Sequence, residues 1–187
     1  MNINEAGIKL IKRWESLHDD DLSIIGLQPK MCPAGVWTSG YGHSITINGK
    51  QLKGVENKDT AYKFALKDES EATALLMLDL TQFEKEILKM NLPLKNENQF
   101  SAIVSFCYNL GLTAFANSTL CSIIRHQMPD VIVDDFSGHV ADYFRQKGVI
   151  ETGVYHYNFV RWSSAGGKFL RGLYLRRDDE YKLFKTA

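Results

Sequence analysis

The stretch that decides how this chain is read is Cys32-Pro33-Ala34-Gly35-Val36-Trp37-Thr38-Ser39-Gly40-Tyr41-Gly42-His43-Ser44. Val36, Trp37, Thr38 and Tyr41 favour extended backbone, and the interspersed glycines suit short strands joined by tight turns. Gly40 and Gly42 predict close backbone approach or positive φ, not phosphate binding. Immediately downstream, Ile45-Thr46-Ile47 and Lys50-Gln51-Leu52 flank Asn48-Gly49. Asn-Gly favours the type I′ turn, so this segment is predicted to be a β-hairpin.

Helices are predicted on both sides of this β-region. Upstream, Ile8, Leu10, Ile11 and Trp14 recur at helical spacing among Lys9, Lys12 and Arg13. They predict an amphipathic helix from Asn4 to Glu15, capped by Asn4 or Asn2. The acidic run His18-Asp19-Asp20-Asp21, continuing through Gly26 to Pro29, reads as a solvated loop. Downstream, Asp68-x-x-Glu71 has the form of a capping box opening a long helix through Leu75, Leu76, Leu78 and Phe83, closed by Pro93. Asn96-x-x-Gln99 opens another, with Phe100, Ile103, Val104, Cys107 and Tyr108 on one face and Gly111 at its C-terminal cap. Ser118 caps a shorter helix to about Gln127, Pro129 starts one running to Lys147, and Gly172 to Phe184 reads as a closing helix. The expected architecture is α+β: a small mixed lobe near the N-terminus, a larger helical lobe, and a cleft where they meet.

Composition narrows the classes. A chain of 187 residues suits one domain or two lobes sharing a core, and 44% hydrophobic with 24% charged residues is globular usage. Twenty-two basic residues balance twenty-two acidic ones. Without a basic excess, no nucleic-acid partner is expected. No apolar run approaches the ~20 residues that span a bilayer. Met1 to Ala6 lacks the basic and apolar regions of a secretory signal, so accumulation in the cytoplasm of the producing cell is expected. Cys32, Cys107 and Cys121 are odd in number and lack C-x-x-C spacing, which reads as free thiols. Cys107 and Cys121 are expected to be small buried hydrophobes. No metal-ligand spacing is present, and no cofactor is expected.

Chemistry enters with Glu15, at the end of the first predicted helix and just before the β-region. A carboxyl poised there between two lobes can donate a proton to a leaving oxygen. Glu15, followed by the 32–44 stretch, resembles the signature of phage-type lysozymes, glycoside hydrolase family 24. That signature is a helix-terminal glutamate, an Asp or Cys, a threonine six positions later, and a Gly-Tyr-Gly-His element. Cys32 to Thr38 is six positions (38 − 32). The resemblance continues through Asn98-Gln99-Phe100, Phe106-Cys107-Tyr108-Asn109-Leu110-Gly111 and Ser118-Thr119-Leu120. It ends with Arg161-Trp162-x-x-Ala165-Gly166-Gly167-Lys168, Gly172-Leu173 and Arg176-Arg177.

The resemblance implies a single lysozyme-like domain over 1–187, with a small lobe near 15–67 and a helical lobe made of 68–187 together with the N-terminal helix 4–15. It implies hydrolysis of the β-1,4 bond between N-acetylmuramic acid and N-acetylglucosamine, causing bacterial lysis. Glu15 would be the general acid, with Cys32 and Thr38 beside the attacking water. The substrate would be peptidoglycan glycan strands, cut by a monomer held in the host cytoplasm until holin-dependent release toward the periplasmic wall. Such cleavage needs protonation of the exocyclic oxygen and, for inversion, room for an oriented water on the opposite ring face. His43 would be a salt-bridging residue tying the lobes together, with Asp79 on the long helix as its partner. Arg161 and Trp162 would pack at the lobe interface. Arg171, Arg176, Arg177, Lys182 and Lys185 read either as a basic face toward anionic envelope polymers or as a solvated helix.

Two features depart from the family pattern. Glu15 to Cys32 spans 17 positions (32 − 15), about twice the family's distance, so the region from Asp19 to Pro29 reads as an insertion. Ser16 stands where a glycine often follows the glutamate. Cys32 is anchored by the intact run to Thr38, while Asp20 or Asp21 is the rival, folding back to supply a carboxylate. A thiol is a poor general base at its ordinary pKa of about 8.5, so Cys32 suits water positioning more than proton abstraction. Two other readings stand beside hydrolysis: lytic transglycosylation of the same bond, and an inactive peptidoglycan-binding or tail-associated module.

Overall fold

The computed structural model describes residues 1–15 and 27–186. The acidic run at 18–21, including Asp20 and Asp21, lies outside the described residues, as does Ser16. The chain divides into two units, one of Ile11–Gln82 and one of Met1–Leu10 with Phe83–Ala187. They are termed the β-unit and the helical unit below.

Helix α1 (Glu5–Glu15) opens on Asn4, whose Oδ1 accepts the Gly7 N–H at 3.0 Å. Asn4, not Asn2, is therefore the cap. In the β-unit, β1 (Lys30–Met31), β2 (Trp37–Ser39) and β3 (His43–Ser44) form an antiparallel sheet in that order. The predicted hairpin is β4 (Thr46–Ile47) with β5 (Lys50–Gln51), Ile47 facing Lys50. Its turn residues Asn48 and Gly49 have φ of 51° and 74°, the two left-handed positions a type I′ turn demands. Trp37 donates its N–H to the Leu52 carbonyl at 2.9 Å and its carbonyl accepts from Ile45 at 2.9 Å, which joins the two sheets edge to edge. Their shared core is Trp37, Ile45, Leu52 and Ala61 of α2 (Lys58–Ala61), with Met31 against it.

Helix α3 (Glu69–Lys89) starts where the capping box predicts, the Glu71 N–H donating to Asp68 Oδ1 at 2.9 Å. The return bond from Glu71 goes to the Lys67 N–H at 2.8 Å, one residue before the cap. The helix stops ahead of Pro93, at a left-handed Asn91 with φ 48°.

The helical unit contains α4 (Glu97–Leu110), α5 (Leu112–Ala116), α6 (Thr119–Arg125), β6 (Ile132–Val133), α7 (His139–Lys147), β7 (Thr152–Gly153), α8 (Val154–Val160), β8 (Ser164–Ala165), β9 (Lys168–Phe169) and α9 (Arg171–Lys185). Asn96 and Ser118 cap α4 and α6 through Oδ1 and Oγ, as expected. The apolar face expected of α4 is instead a full circumference: every residue from Phe100 to Cys107 is buried. A helix covered by α9 and α5 needs no polar side. Pro129 does not begin a helix. The chain forms β6 paired with β7 first, and α7 starts only after Gly138. Phe106 is the hub of this unit, meeting Phe115, Phe159 and Trp162 edge-on at 5.6–6.0 Å.

Candidate active site

Thr38 lies in β2 between Trp37 and Ser39, which are both buried, and faces the opposite way, half-buried. Its hydroxyl donates to the Lys30 carbonyl at 3.1 Å. Lys30 faces Thr38 and Met31 faces Trp37 in the ladder, and the Cys32 N–H extends the pairing by donating to Val36 at 2.8 Å. The Gly35 N–H returns to the Cys32 carbonyl at 2.8 Å, with Gly35 at φ 75°. This is a type I turn over Cys-Pro-Ala-Gly with a left-handed glycine completing the hairpin, and proline stands at the position that such a turn prefers. Strand alternation then puts Met31 and Trp37 on the core side and Lys30, Cys32 and Thr38 together on the other. Cys32 and Thr38 are diagonal neighbours on that face.

Glu15 is the last residue of α1, half-buried, in the same unit. One turn earlier, Lys12 bridges to Glu69 Oε1 at 2.9 Å and lies 5.2 Å from the Tyr41 ring. The Tyr41 hydroxyl donates to the same Glu69 oxygen at 3.0 Å. The end of α1 is thus tied to the Gly-Tyr-Gly turn and to the first residue of α3. Burial alone would lower the Lys12 pKa, but its bonds to Glu69 and Tyr41 outweigh that and raise it. Glu69 is held below the ordinary carboxylate value by the Lys12 bond first and the Tyr41 hydroxyl second. Neither Lys12 nor Glu69 stood out in the sequence. Their partners are 57 positions apart in the chain, and Lys12 reads as one more polar residue on an amphipathic helix.

His43 is where the sequence placed it. Its Nδ1 sits 2.9 and 3.0 Å from the two oxygens of Asp79 on α3. The Asp79 bond raises the histidine pKa against the opposing effect of partial burial. Both residues belong to the β-unit, so the pair joins β3 to α3 within that unit. Gly40 meets two demands at once: its φ is 56°, and a Cβ there would lie 3.2 Å from Leu66 and 3.4 Å from Ala72 of α3.

Other candidates resolve into packing. Trp162 lies edge-on to Phe106 inside the helical unit, and the Arg161 guanidinium is 5.5 Å from the Tyr157 ring. Of the five basic residues read into the last helix, Arg171, Lys182 and Lys185 are exposed, but Arg176 and Arg177 are corrected: they are 4% and 0% exposed, both paired with a Glu180 that is also 0% exposed. Arg177 additionally donates to Asn109 at 3.1 Å, and Ser105 donates to Glu180 at 2.8 Å. Cys107 and Cys121 are buried free thiols and Cys32 is a half-buried one. Among the described residues, no group of three His, Cys, Asp or Glu is placed to hold a metal ion.

Comparison with known proteins identifies the family. The family model for phage lysozyme matches residues 24–153, a span that includes Cys32, Thr38, His43 and Asp79 and leaves Glu15 outside. An endolysin of Acyrthosiphon pisum secondary endosymbiont phage 1 is 34% identical over 191 residues, covering all of both chains. An endolysin of Bacillus phage B103 is 30% identical over 187 residues, and this chain spans 55% of that protein's length. Among solved structures, the muramidase domain of SpmX from Asticaccaulis excentricus superposes with a TM-score of 0.66 at 27% identity, covering 100% of this chain and 99% of that one. The helical body with small antiparallel sheets is a lysozyme-like fold, and the chain belongs to the phage lysozyme family.

Proposed function

We propose that this glycoside hydrolase cleaves the β-1,4 bond between N-acetylmuramic acid and N-acetylglucosamine in peptidoglycan, with Glu15 as general acid and Cys32 and Thr38 orienting the attacking water. The observation that carries the reading is the hairpin that sets Cys32 and Thr38 on one face, in the unit whose first helix ends at Glu15. Glu15 protonates the leaving oxygen as the bond breaks. The Thr38 hydroxyl, fixed by Lys30, and the Cys32 thiol hold water in line with the anomeric carbon. Lys12, Tyr41 and Glu69 position the acid by fixing the helix that bears it.

Glu15→Gln is expected to fold normally by circular dichroism yet clear outer-membrane-permeabilised Gram-negative cells at least ~100-fold more slowly, the usual scale of general-acid catalysis. Full activity in that variant sinks the assignment. Thr38→Val is expected to lower the rate by up to ~100-fold, the scale of a misplaced reactant. Mass spectrometry of the products separates hydrolysis, which leaves reducing ends, from transglycosylation, which leaves 1,6-anhydro ends. Sedimentation with purified sacculi and no release of muropeptides would identify a binding module instead.

The reading extends to a monomeric single domain, made in the host cytoplasm and reaching the wall through a holin-type lesion. Among the described residues no helix is long and apolar enough to cross a membrane. Lysis with unchanged timing when the holin is removed would overturn the release route.

A further inference from the structure

One surface of the β-unit holds its apolar residues the opposite way round from an ordinary surface helix. Beyond the hairpin, the 3₁₀ turn Val55–Asn57, helix α2 and the 3₁₀ turn Tyr62–Phe64 follow one another without a break. Of the residues in this stretch only Ala61 is buried, in the core with Trp37. The larger apolar side chains lie outside: Val55 is 71% exposed, Phe64 41% and Tyr62 39%. A helical stretch on a globular surface normally turns its apolar side inward. Here the small alanine is inside and the large residues are out, at a cost in water that a contact would recover.

The charge around them has a dominant sign. Lys50, Lys53, Lys58 and Lys63, all exposed, stand against Glu56 and Asp59 over the same span. The whole chain has formal net charge +0, so this surplus is local. Glu56 folds back against Gly54 of its own turn. Val55, Lys58 and Tyr62 follow at i, i+3 and i+7 and so share one side, and the Lys58 ammonium lies 5.3 Å from the Tyr62 ring. The scaffold beneath is fixed. Tyr62 meets Trp37 edge-on at 6.2 Å, and the Asn57 side chain donates to the Lys53 carbonyl at 2.7 Å.

Lysines beside exposed rings suit a layered partner, anionic at its surface and apolar beneath. A soluble polyanion would satisfy the lysines and leave Val55 and Phe64 in water. An anionic phospholipid bilayer satisfies both. Headgroup phosphates meet the ammonium groups, the lysine stems run along apolar surface, and the rings enter the headgroup boundary. We propose that this surface seats the β-unit peripherally on an anionic phospholipid membrane, a contact that does not depend on the glycan chemistry above.

The test is sedimentation of the full chain with vesicles of phosphatidylglycerol and phosphatidylethanolamine, set against vesicles of phosphatidylcholine. Saturable binding to the first is expected, at least ~10-fold weaker on the second and weakening as salt is raised. A Lys53→Glu, Lys58→Glu, Lys63→Glu triple variant is expected to lose at least ~10-fold on the anionic vesicles. A Val55→Ser, Phe64→Ser double variant is expected to lose roughly fivefold or more there, yet to match wild type in retention on dextran sulfate, which has no apolar layer. The proposal is overturned if wild type binds neither vesicle, if it binds both equally, or if charge reversal has no effect. A double variant that binds anionic vesicles as wild type does would also overturn it, leaving a surface for soluble polyanions. Both variants are expected to cut amidase-stripped glycan strands at the wild-type rate. Stripped strands left intact by wild type would overturn the hydrolase reading and leave the vesicle result standing.

Discussion

His43 with Asp79 in the β-unit and His156 with Asp178 in the helical unit are the same pair of residue types, each linking its histidine to a helix. Their geometry is similar, 2.9 Å in one and 3.1 Å in the other. The histidines nevertheless shift in opposite directions. His43, whose side chain is 32% exposed, is raised because the bond to Asp79 outweighs burial. His156, 15% exposed, is lowered because burial outweighs Asp178. Asp178 also divides its charge with Lys182, 2.7 Å away, while Thr152 meets the other ring nitrogen at 2.7 Å. A carboxylate partner alone therefore does not decide a histidine's charge; depth and the partner's other commitments do. The Arg176, Arg177 and Glu180 cluster lies at the far end of that scale. There burial pushes the carboxyl of Glu180 up against the pull of Arg177 and Arg176.

The largest effect is expected at that buried extreme. Glu180→Ala removes the buried carboxylate shared by Arg176 and Arg177 and is expected to cost about 3–5 kcal/mol by denaturant midpoint. Replacing Arg176, Arg177 and Glu180 together with apolar residues of similar volume is expected to restore most of it; a triple variant no better than the single would break the depth argument. Next is Asp79→Asn, expected to cost about 1 kcal/mol near pH 5.5, where His43 is charged. Because the folded pKa of His43 is raised, the pair's contribution is complete below the unfolded value of about 6.5 and is lost as pH rises through the folded one. A loss that does not fade at high pH would show a merely steric role.

His156 has the opposite sign. Its folded pKa is lowered, so the unfolded chain binds the proton first and stability declines as pH falls below about 6.5. Melting His156→Gln across pH 5–8 is expected to remove that decline. Unchanged acid sensitivity would place the effect elsewhere. The smallest stability change is expected from Lys12→Met, because the Glu69 side of its bridge is open to solvent and screened. Its turnover is nonetheless expected to fall at unaltered substrate binding, since the end of α1 loses its tether.

The sequence was most legible where local chemistry dictates local structure. Asn48-Gly49 specified its turn, and Asn4, Asp68, Asn96 and Ser118 each marked a helix start that the structure bears out. Cys32, Thr38 and His43 could be singled out because they share one short run. Periodicity failed where tertiary burial overrides it. Leu175 is 39% exposed while the neighbouring Arg176 and Arg177 are buried, an inversion that an i, i+3 and i, i+4 charge pattern on a helix cannot announce. The clue was elsewhere, in Ser105 and Asn109 of α4, polar residues that needed partners. Pro129 misled because proline starts helices and turns alike, and only the β6–β7 pairing decides between them.

The turn at Cys32 has a consequence for how such a chain can change over generations. Its backbone bonds to Val36 and Gly35 on the downstream side, next to the β1–β2 ladder, while Lys12 moors the end of α1 from upstream. The two moorings do not depend on each other, so the number of residues strung between them is free to drift. Closing a connection of twice the length costs only about 0.6 kcal/mol more. Insertions and deletions can thus accumulate between Glu15 and Lys30, a tract open to invention bounded by two positions that are not.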